Sequence, residues 1–463
     1  MRALHSQEMP EPSTNRDVAS LLHPFTNPAS HEQDGALVIT RGDGVWVYDE
    51  AGKAYLEAAS GLWCASLGFN EPRLAEAAYK QLKTLPFMHL FGSRSHSPAI
   101  ELAERILKLA PVPMSKVFFA NSGSEAADTV VKIVWFFSNA LGRPEKKKII
   151  ARRDGFHGST VAAASLTGIF RNHRKFDLPI PNIIHASRPH YYRGARLGES
   201  EDAYASRLAS ELDQQILAEG PDTVAAMIAE PVMGAGGVLL PPAGYFEKVQ
   251  QVTDRYGMLF IADEVICGFG RTGNLWGSQT FGIRPDILTT AKQLSAAYAP
   301  ISAVVVNQRV YDVLRQGSDE VGTFAHGFTY SGHPVSTAVA LECLKIYEEI
   351  DVVERVRRLA PRLQQGLRER YADHPLVGEI RGVGLMAAVE LVREKSTGQP
   401  FDPALGVGPH CMARAVERGV ILRALGDSIA FSPPLIVSEA EIDQILDRFG
   451  EALRDTAEWL AGR

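Results

Sequence analysis

At 463 residues, 45% of them apolar, the chain can bury one large core plus a satellite domain, because single cores stop growing beyond about 250–300 residues. Its formal charge of -6 arises from 54 acidic and 48 basic residues spread along the sequence, which excludes the concentrated basic footprint of a nucleic-acid or anionic-lipid binder. No apolar run approaches the roughly 18 residues of a membrane helix, since the longest candidate, VVKIVWFF, is broken by Lys132.

The first twenty residues, MRALHSQEMPEPSTNRDVAS, have no apolar stretch of the kind a signal peptide needs and, rich in Pro, Ser and Glu, read as a loose arm. GVWVYDEAGKAYLEAASG alternates apolar and polar positions around Asp49 to Gly52, the signal of a hairpin. From about residue 72 short β-rich runs alternate with helical patterns: KVFFA (116–120), KKIIAR (147–152), VAAMIAE (224–230), MLFIADE (258–264), DILTTA (286–291) and SAVVV (302–306). Most are continuously apolar, as a sheet covered on both faces requires, so an α/β architecture with a mostly parallel sheet follows. Lys146, Lys147 and Lys148 read as a solvated loop before one strand. After about residue 335 the pattern turns helical, strands return in GLMAAVEL and VILRA, and the chain closes on SEAEIDQILDRFGEALRDTAEWL. There Ser438 and Glu441 form a capping box, and Ile442, Ile445, Leu446, Phe449 and Leu453 line one face. The expected organisation is an N-terminal arm and hairpin over 1–71, a large α/β domain over 72–334, and a smaller α+β domain over 335–463 that shares the hairpin. Cys64, Cys267, Cys343 and Cys411 are too scattered for disulfide or ligand spacing and read as reduced residues of a cytoplasmic protein.

Chemistry-bearing residues gather at the strand ends. KVFFA runs into Asn121-Ser122-Gly123-Ser124-Glu125 and then a helical pattern. This stretch serves either as an ordinary N-cap with Glu125 in the first turn, or as a phosphate cradle of free N–H groups, a close-approach glycine and two hydroxyls. It matches neither GxxxxGK[ST] nor GxGxxG. MLFIADE ends on Asp263 and Glu264 before a glycine-rich run, where a carboxylate either opens the turn or faces a cation at the ligand-binding edge of the sheet. Metal-ligand spacing is lacking around it. DILTTA stops at Lys292, whose ammonium either snorkels to solvent or is put to use, because burying it bare is costly. RRDGFHGST supplies Phe156 and His157, an aromatic that packs locally or lies on a planar ligand.

A phosphate cradle, a strand-end Asp, a stacking aromatic and a strand-end Lys together suit pyridoxal 5'-phosphate (PLP) catalysis. NSGSEA, FHGST, AEPV, ADEVICGFGRTG, TTAKQLS and FTYSGHP, in that order, resemble the class III aminotransferases, PLP enzymes of fold type I, and the resemblance runs nearly end to end. It implies a seven-stranded, mostly parallel sheet in the large domain and a small domain built from both chain ends. It implies Lys292 as the Schiff-base lysine and Asp263 as the partner of the ring nitrogen. Ser122, Gly123 and Ser124 match the phosphate cup, Phe156 the stacking aromatic with His157 beside it, and Glu230 the acid near the cofactor hydroxyl. Val265 matches the apolar contact on the opposite ring face. Phe328 and Thr329 match a segment that reaches the phosphate from a neighbouring subunit, so a homodimer, or a pair of dimers, is implied.

SGLWCASLG, PFMHLFGS and RALGDSIAFSPP look most like the bacterial amine:pyruvate and β-alanine:pyruvate group. The resemblance then implies ping-pong transfer from a primary amine or ω-amino acid to pyruvate or another 2-oxo acid. Arg423 matches the arginine that binds the acceptor carboxylate, a role its fork suits. Trp63, Phe91 and Phe156 would wall the pocket, and Ala235 would leave room in it. Phe156 stands where close relatives often carry Tyr, and Gln293 where they carry Gly. An aminomutase or decarboxylase on the same scaffold is the alternative, because the cofactor residues would be identical.

Overall fold

The computed structural model describes residues 12–463. Its central sheet has seven strands in the spatial order Lys116–Ala120, Ser302–Val306, Ile287–Thr290, Leu259–Asp263, Val224–Ala229, Lys148–Arg152 and Ile183–Ala186. Ser302–Val306 runs antiparallel to both neighbours, and the pairings from Ile287–Thr290 through to Ile183–Ala186 are all parallel. Val224–Ala229, Leu259–Asp263 and Ile287–Thr290 are buried at every position. Alternate side chains enter two different cores, which is why the sequence shows continuous rather than alternating hydrophobicity. Ile149, Ile228, Ile261 and Val304 pack with Val130 and Val134 of helix Gly123–Ala140. Ile150, Met227 and Phe260 pack on the other face with helices Glu201–Glu219 and Tyr245–Arg255. Each such fully buried side chain contributes about 1.5–3 kcal/mol.

Two four-stranded sheets flank this body. The hairpin Trp46–Asp49 and Ala54–Glu57 turns where the alternation predicts, gains Ile39–Asp43 on one side, and on the other pairs in parallel with Val420–Ile421. The second contains Val377–Val383, Met386–Leu391, Ser428–Phe431 and Arg423–Leu425. VILRA is therefore not one strand: it breaks at the buried Leu422, and its two halves serve different sheets. The closing helix Glu439–Ala461 starts at the expected capping box, with Glu441 Oε2 accepting the Ser438 N–H at 2.8 Å and the five expected apolar residues buried.

Other expectations are corrected. Ile183–Ala186, a four-residue edge strand, gave no signal in the sequence. Of the loose arm, residues 1–11 lie outside the described residues, while Ser13–Ser20 is an α-helix. The lysine run is not a solvated loop. Lys146 Nζ donates to the carbonyls of Pro221 and Tyr256, Lys147 Nζ to that of Trp135, and Lys148 Nζ to the carbonyl and carboxylate of Glu219. Their ammonium groups are taken up by backbone carbonyls of neighbouring segments, and the sequence conceals which segments are near.

Candidate active site

The parallel strands deliver their C-terminal ends to one cavity, the edge at which open α/β sheets bind ligands. It is lined by Gly123, Ser124, Phe156, His157, Gly158, Glu230, Asp263, Val265, Ile266 and Lys292. Asp263 is the last residue of its strand; Lys292 follows its strand at a left-handed φ of 46°, which turns the side chain out of the strand path.

Lys292 is half-buried, and its amine forms no ion pair or hydrogen bond among the described residues. Burial pushes its pKa below the ordinary lysine value, with the Asp263 carboxylate partly opposing the shift. Asp263 Oδ1 accepts the Val265 N–H at 3.1 Å, and Oδ2 accepts from His157 Nδ1 at 2.6 Å. That bond assigns the imidazole proton to Nδ1 and leaves Nε2 of His157 buried without a partner among the described residues. Glu230 ties two loops to the floor: Oε1 accepts the Phe156 N–H at 3.0 Å and Oε2 the Gly234 N–H at 3.1 Å. Burial raises its pKa. Glu264, the other strand-end carboxylate, belongs elsewhere, because it accepts from Gly277 N and from Ser278 N and Oγ at the start of helix Gly277–Phe281. Burial pushes it up to about 7.

At the head of Gly123–Ala140 the two readings of NSGSE hold together. Ser122 Oγ accepts the Glu125 N–H at 3.1 Å, and Glu125 reaches back to the Asn121 N–H at 2.8 Å. This ordinary cap lies behind the cavity, and the next residues, Gly123 and Ser124, line it. A Cβ on Gly123 would come within 3.3 Å of Val265 Cγ1, so a side chain there would press on Val265. An unpartnered amine, a strand-end carboxylate, an orphaned imidazole nitrogen and a helix N-terminus form a donor set that fits PLP.

Other expected residues lie apart. Trp63 is 3% exposed and packs in the apolar cluster that includes Ile266, so it backs the cavity instead of lining it. Ala235 follows Gly234 in the turn held by Glu230 and does not line the cavity. Phe91, 49% exposed, packs on Gly327 in a different cavity, bounded also by Phe118, Phe324 and His326. Half-buried Phe328 and exposed Thr329 continue that segment and do not line the Lys292 cavity of their own chain. Arg423 opens Arg423–Leu425 and lines a larger cavity, about 930 Å³, that shares Gly158 with the floor.

That mouth contains residues the sequence reading missed. Phe25 stands in it, edge-on to Phe156 with ring centroids 6.3 Å apart. Its segment is clasped by Asp17, whose Oδ1 accepts from Nε2 of both His23 and His31 at 2.9 Å. Arg171 also lines the mouth. Gln293, 1% exposed, donates from Nε2 to the Ile266 carbonyl at 2.6 Å and so joins the lysine turn to the cavity wall. LHPFTN alone could have drawn attention to Phe25, as an aromatic between Pro and polar residues with no strand or helix to bury it.

The family model for class III aminotransferases matches residues 28–453. The chain belongs to that family. Among its curated relatives, the chloroplastic gamma aminobutyrate transaminase 3 of Solanum lycopersicum is 52% identical, covering 94% of this chain and 84% of the relative. The mitochondrial gamma-aminobutyrate transaminase 1 of Oryza sativa subsp. indica is 48% identical over 99% of this chain and 90% of the relative. Among solved structures, the omega transaminase of Pseudomonas jessenii in complex with PMP superposes with a TM-score of 0.96 at 56% identity, covering 97% of this chain and 99% of that one. This aminotransferase thus has the fold type I architecture and uses PLP.

Proposed function

We propose that this aminotransferase transfers an amino group from a primary amine or ω-amino acid, 4-aminobutyrate among them, to pyruvate or another 2-oxo acid. The observation that carries this reading is Arg423: a half-buried guanidinium without an acidic partner among the described residues, on the wall of a mouth with Phe25, Phe176, Leu178 and Ile180 that meets the Lys292 floor at Gly158. A carboxylate answers the guanidinium fork, and the apolar wall accepts an uncharged amine. The names of the relatives, transaminases of gamma-aminobutyrate and of omega amines, agree with both halves of that site.

Bound PLP supplies an aldehyde carbon for amines and a ring that takes up the electrons of the bond broken at the substrate carbon. The protein supplies the rest. Lys292, its neutral form favoured by burial, takes a proton from the substrate carbon and returns it. Asp263, held by Val265 and His157, keeps a proton on the ring nitrogen by opposite charge. Gly123 and Ser124 at the helix N-terminus receive the phosphate. Phe156 and Val265 orient the ring, and Glu230 fixes the Phe156 loop. Arg423 binds the carboxylate of the 2-oxo acid.

Phe91 and the Phe328-Thr329 segment serve the floor of a second copy in this reading, which makes the enzyme a homodimer. The exposure of Phe87, Phe91 and Tyr330 on neighbouring segments supports an interface there. The four cysteines are free, which suits a reducing compartment such as the cytoplasm. The test is a single turnover. Mixing the holoenzyme with 1-phenylethylamine should bleach the cofactor absorbance and yield acetophenone, and pyruvate should restore the colour. Release of carbon dioxide, or amine migration without an acceptor, would instead support a decarboxylase or aminomutase.

A further inference from the structure

The mouth holds a second guanidinium to which the catalytic reading gives no work. Arg171, on the turn Phe170–Asn172, lines the same cavity as Arg423, and neither forms an ion pair among the described residues. Of the arginines nearby, Arg153 and Arg174 also form no ion pair among the described residues, whereas three others do. Arg188 pairs with Asp154, Arg193 with Glu390, and Arg381 with both Glu379 and Glu390. Asp177 also borders the mouth, but it pairs with neither arginine. Two like charges sharing a cavity repel each other, a cost that an entering anion relieves. The two differ in depth: Arg423 is half-buried beside the floor, whereas Arg171 is exposed at the rim. The same lining includes the apolar side chains of Phe25, Phe176 and Ile180.

We propose that Arg171 is a second carboxylate anchor, which gives this site its affinity for ω-amino acids whose carboxylate is separated from the amine by a long methylene chain. The proposal rests on the transaminase reading above. The amine of such a donor goes to the floor, its methylenes lie along the aromatic wall, and its carboxylate meets Arg171 at the rim. Short amino and 2-oxo acids end at Arg423 and do not reach it. Chain length, not charge alone, then decides which arginine is used.

The experiment compares wild type, Arg171→Ala and Arg171→Lys holoenzymes on donors from β-alanine through 4-aminobutyrate to 6-aminohexanoate, with 1-phenylethylamine as the uncharged control. Arg171→Ala should raise KM for 6-aminohexanoate about 10-fold or more while kcat holds, since a charge-assisted bond is lost. β-Alanine and 1-phenylethylamine should be unaffected, and Arg171→Lys should recover part of the loss. Calorimetry with hexanoate, which has no amine to react, should show binding weakened by a similar factor. Equal KM for 6-aminohexanoate in wild type and Arg171→Ala, or an equal loss on 1-phenylethylamine, would overturn the anchor and leave the transaminase reading intact. A wild type that turns over no amine would remove that reading and the anchor together.

Discussion

The floor around Lys292 and the mouth around Arg423 are built on opposite terms. In the floor, Asp263 and Glu230 each accept two hydrogen bonds, while the Lys292 amine and His157 Nε2 lack a partner within the described residues. Its parts come from strand ends whose positions the core fixes. The mouth draws on loop residues at Phe25 and Thr26, at 158–159 and at 176–180, the turn Phe170–Asn172, Val161 and Ala164 of helix Val161–Leu166, and the first residues of a three-residue strand. Its aromatics stand in solvent, Phe25 71% and Phe176 72% exposed, and its arginines form no ion pair among the described residues. The contrast teaches where each property resides. Chemistry needs groups held still in a water-poor site, whereas substrate choice is written on loops that a rigid scaffold carries.

Variants should separate the two regions. Lys292→Ala removes the proton carrier, and turnover of 1-phenylethylamine with pyruvate should fall by at least about 10²–10⁴-fold; a variant near wild-type rate would erase the distinction. Asp263→Asn keeps the shape of the floor and removes the charge, so kcat should drop on the order of 10²-fold for aryl amines and amino acids alike. Arg423→Ala should act in one direction only. KM for pyruvate should rise roughly 10- to 100-fold, while the half-reaction with 1-phenylethylamine, followed by the loss of cofactor colour, proceeds as in wild type.

The smaller effects concern stability. Gln293→Ala leaves the buried Ile266 carbonyl unpaired and should cost about 1–3 kcal/mol in urea unfolding, with little change in KM. The apoenzyme tests the depressed Lys292 pKa. Between that lowered value and the ordinary 10.5, the unfolded chain binds a proton that the folded chain does not. Wild-type stability should therefore rise with pH across this window relative to Lys292→Met, the difference being independent of pH above about 10.5 and below the lowered value. A flat difference between the two proteins would mean that the amine is not desolvated.

Legibility in the sequence followed the same division. Six of the central strands showed themselves because burial on both faces forces continuous apolar runs, and their ends pointed to Lys292, Asp263, Phe156 and Glu230. Ile183–Ala186 escaped because four residues carrying a histidine, at the edge of the sheet, make no such run. The helix Ser13–Ser20 escaped because it buries nothing and so has no apolar stripe. Phe25 and Arg171 were invisible for a deeper reason. Neither lies on a strand or α-helix, and each reaches the mouth only because the arm and the turn fold back beside Arg423, more than two hundred residues away in the chain. The burial of Trp63 behind Ile266, and of the Gln293 amide on the Ile266 carbonyl, are likewise tertiary facts with no local pattern.

The most direct measurement is to reduce the holoenzyme with borohydride, digest it and locate the modified lysine by mass spectrometry. The expected result is a single phosphopyridoxyl group on the peptide that contains Lys292, absent from Asp263→Ala only if that variant binds no cofactor. A modified lysine anywhere else, or an unmodified Lys292 in protein that retains bound PLP, would contradict the assignment of this cavity as the catalytic floor.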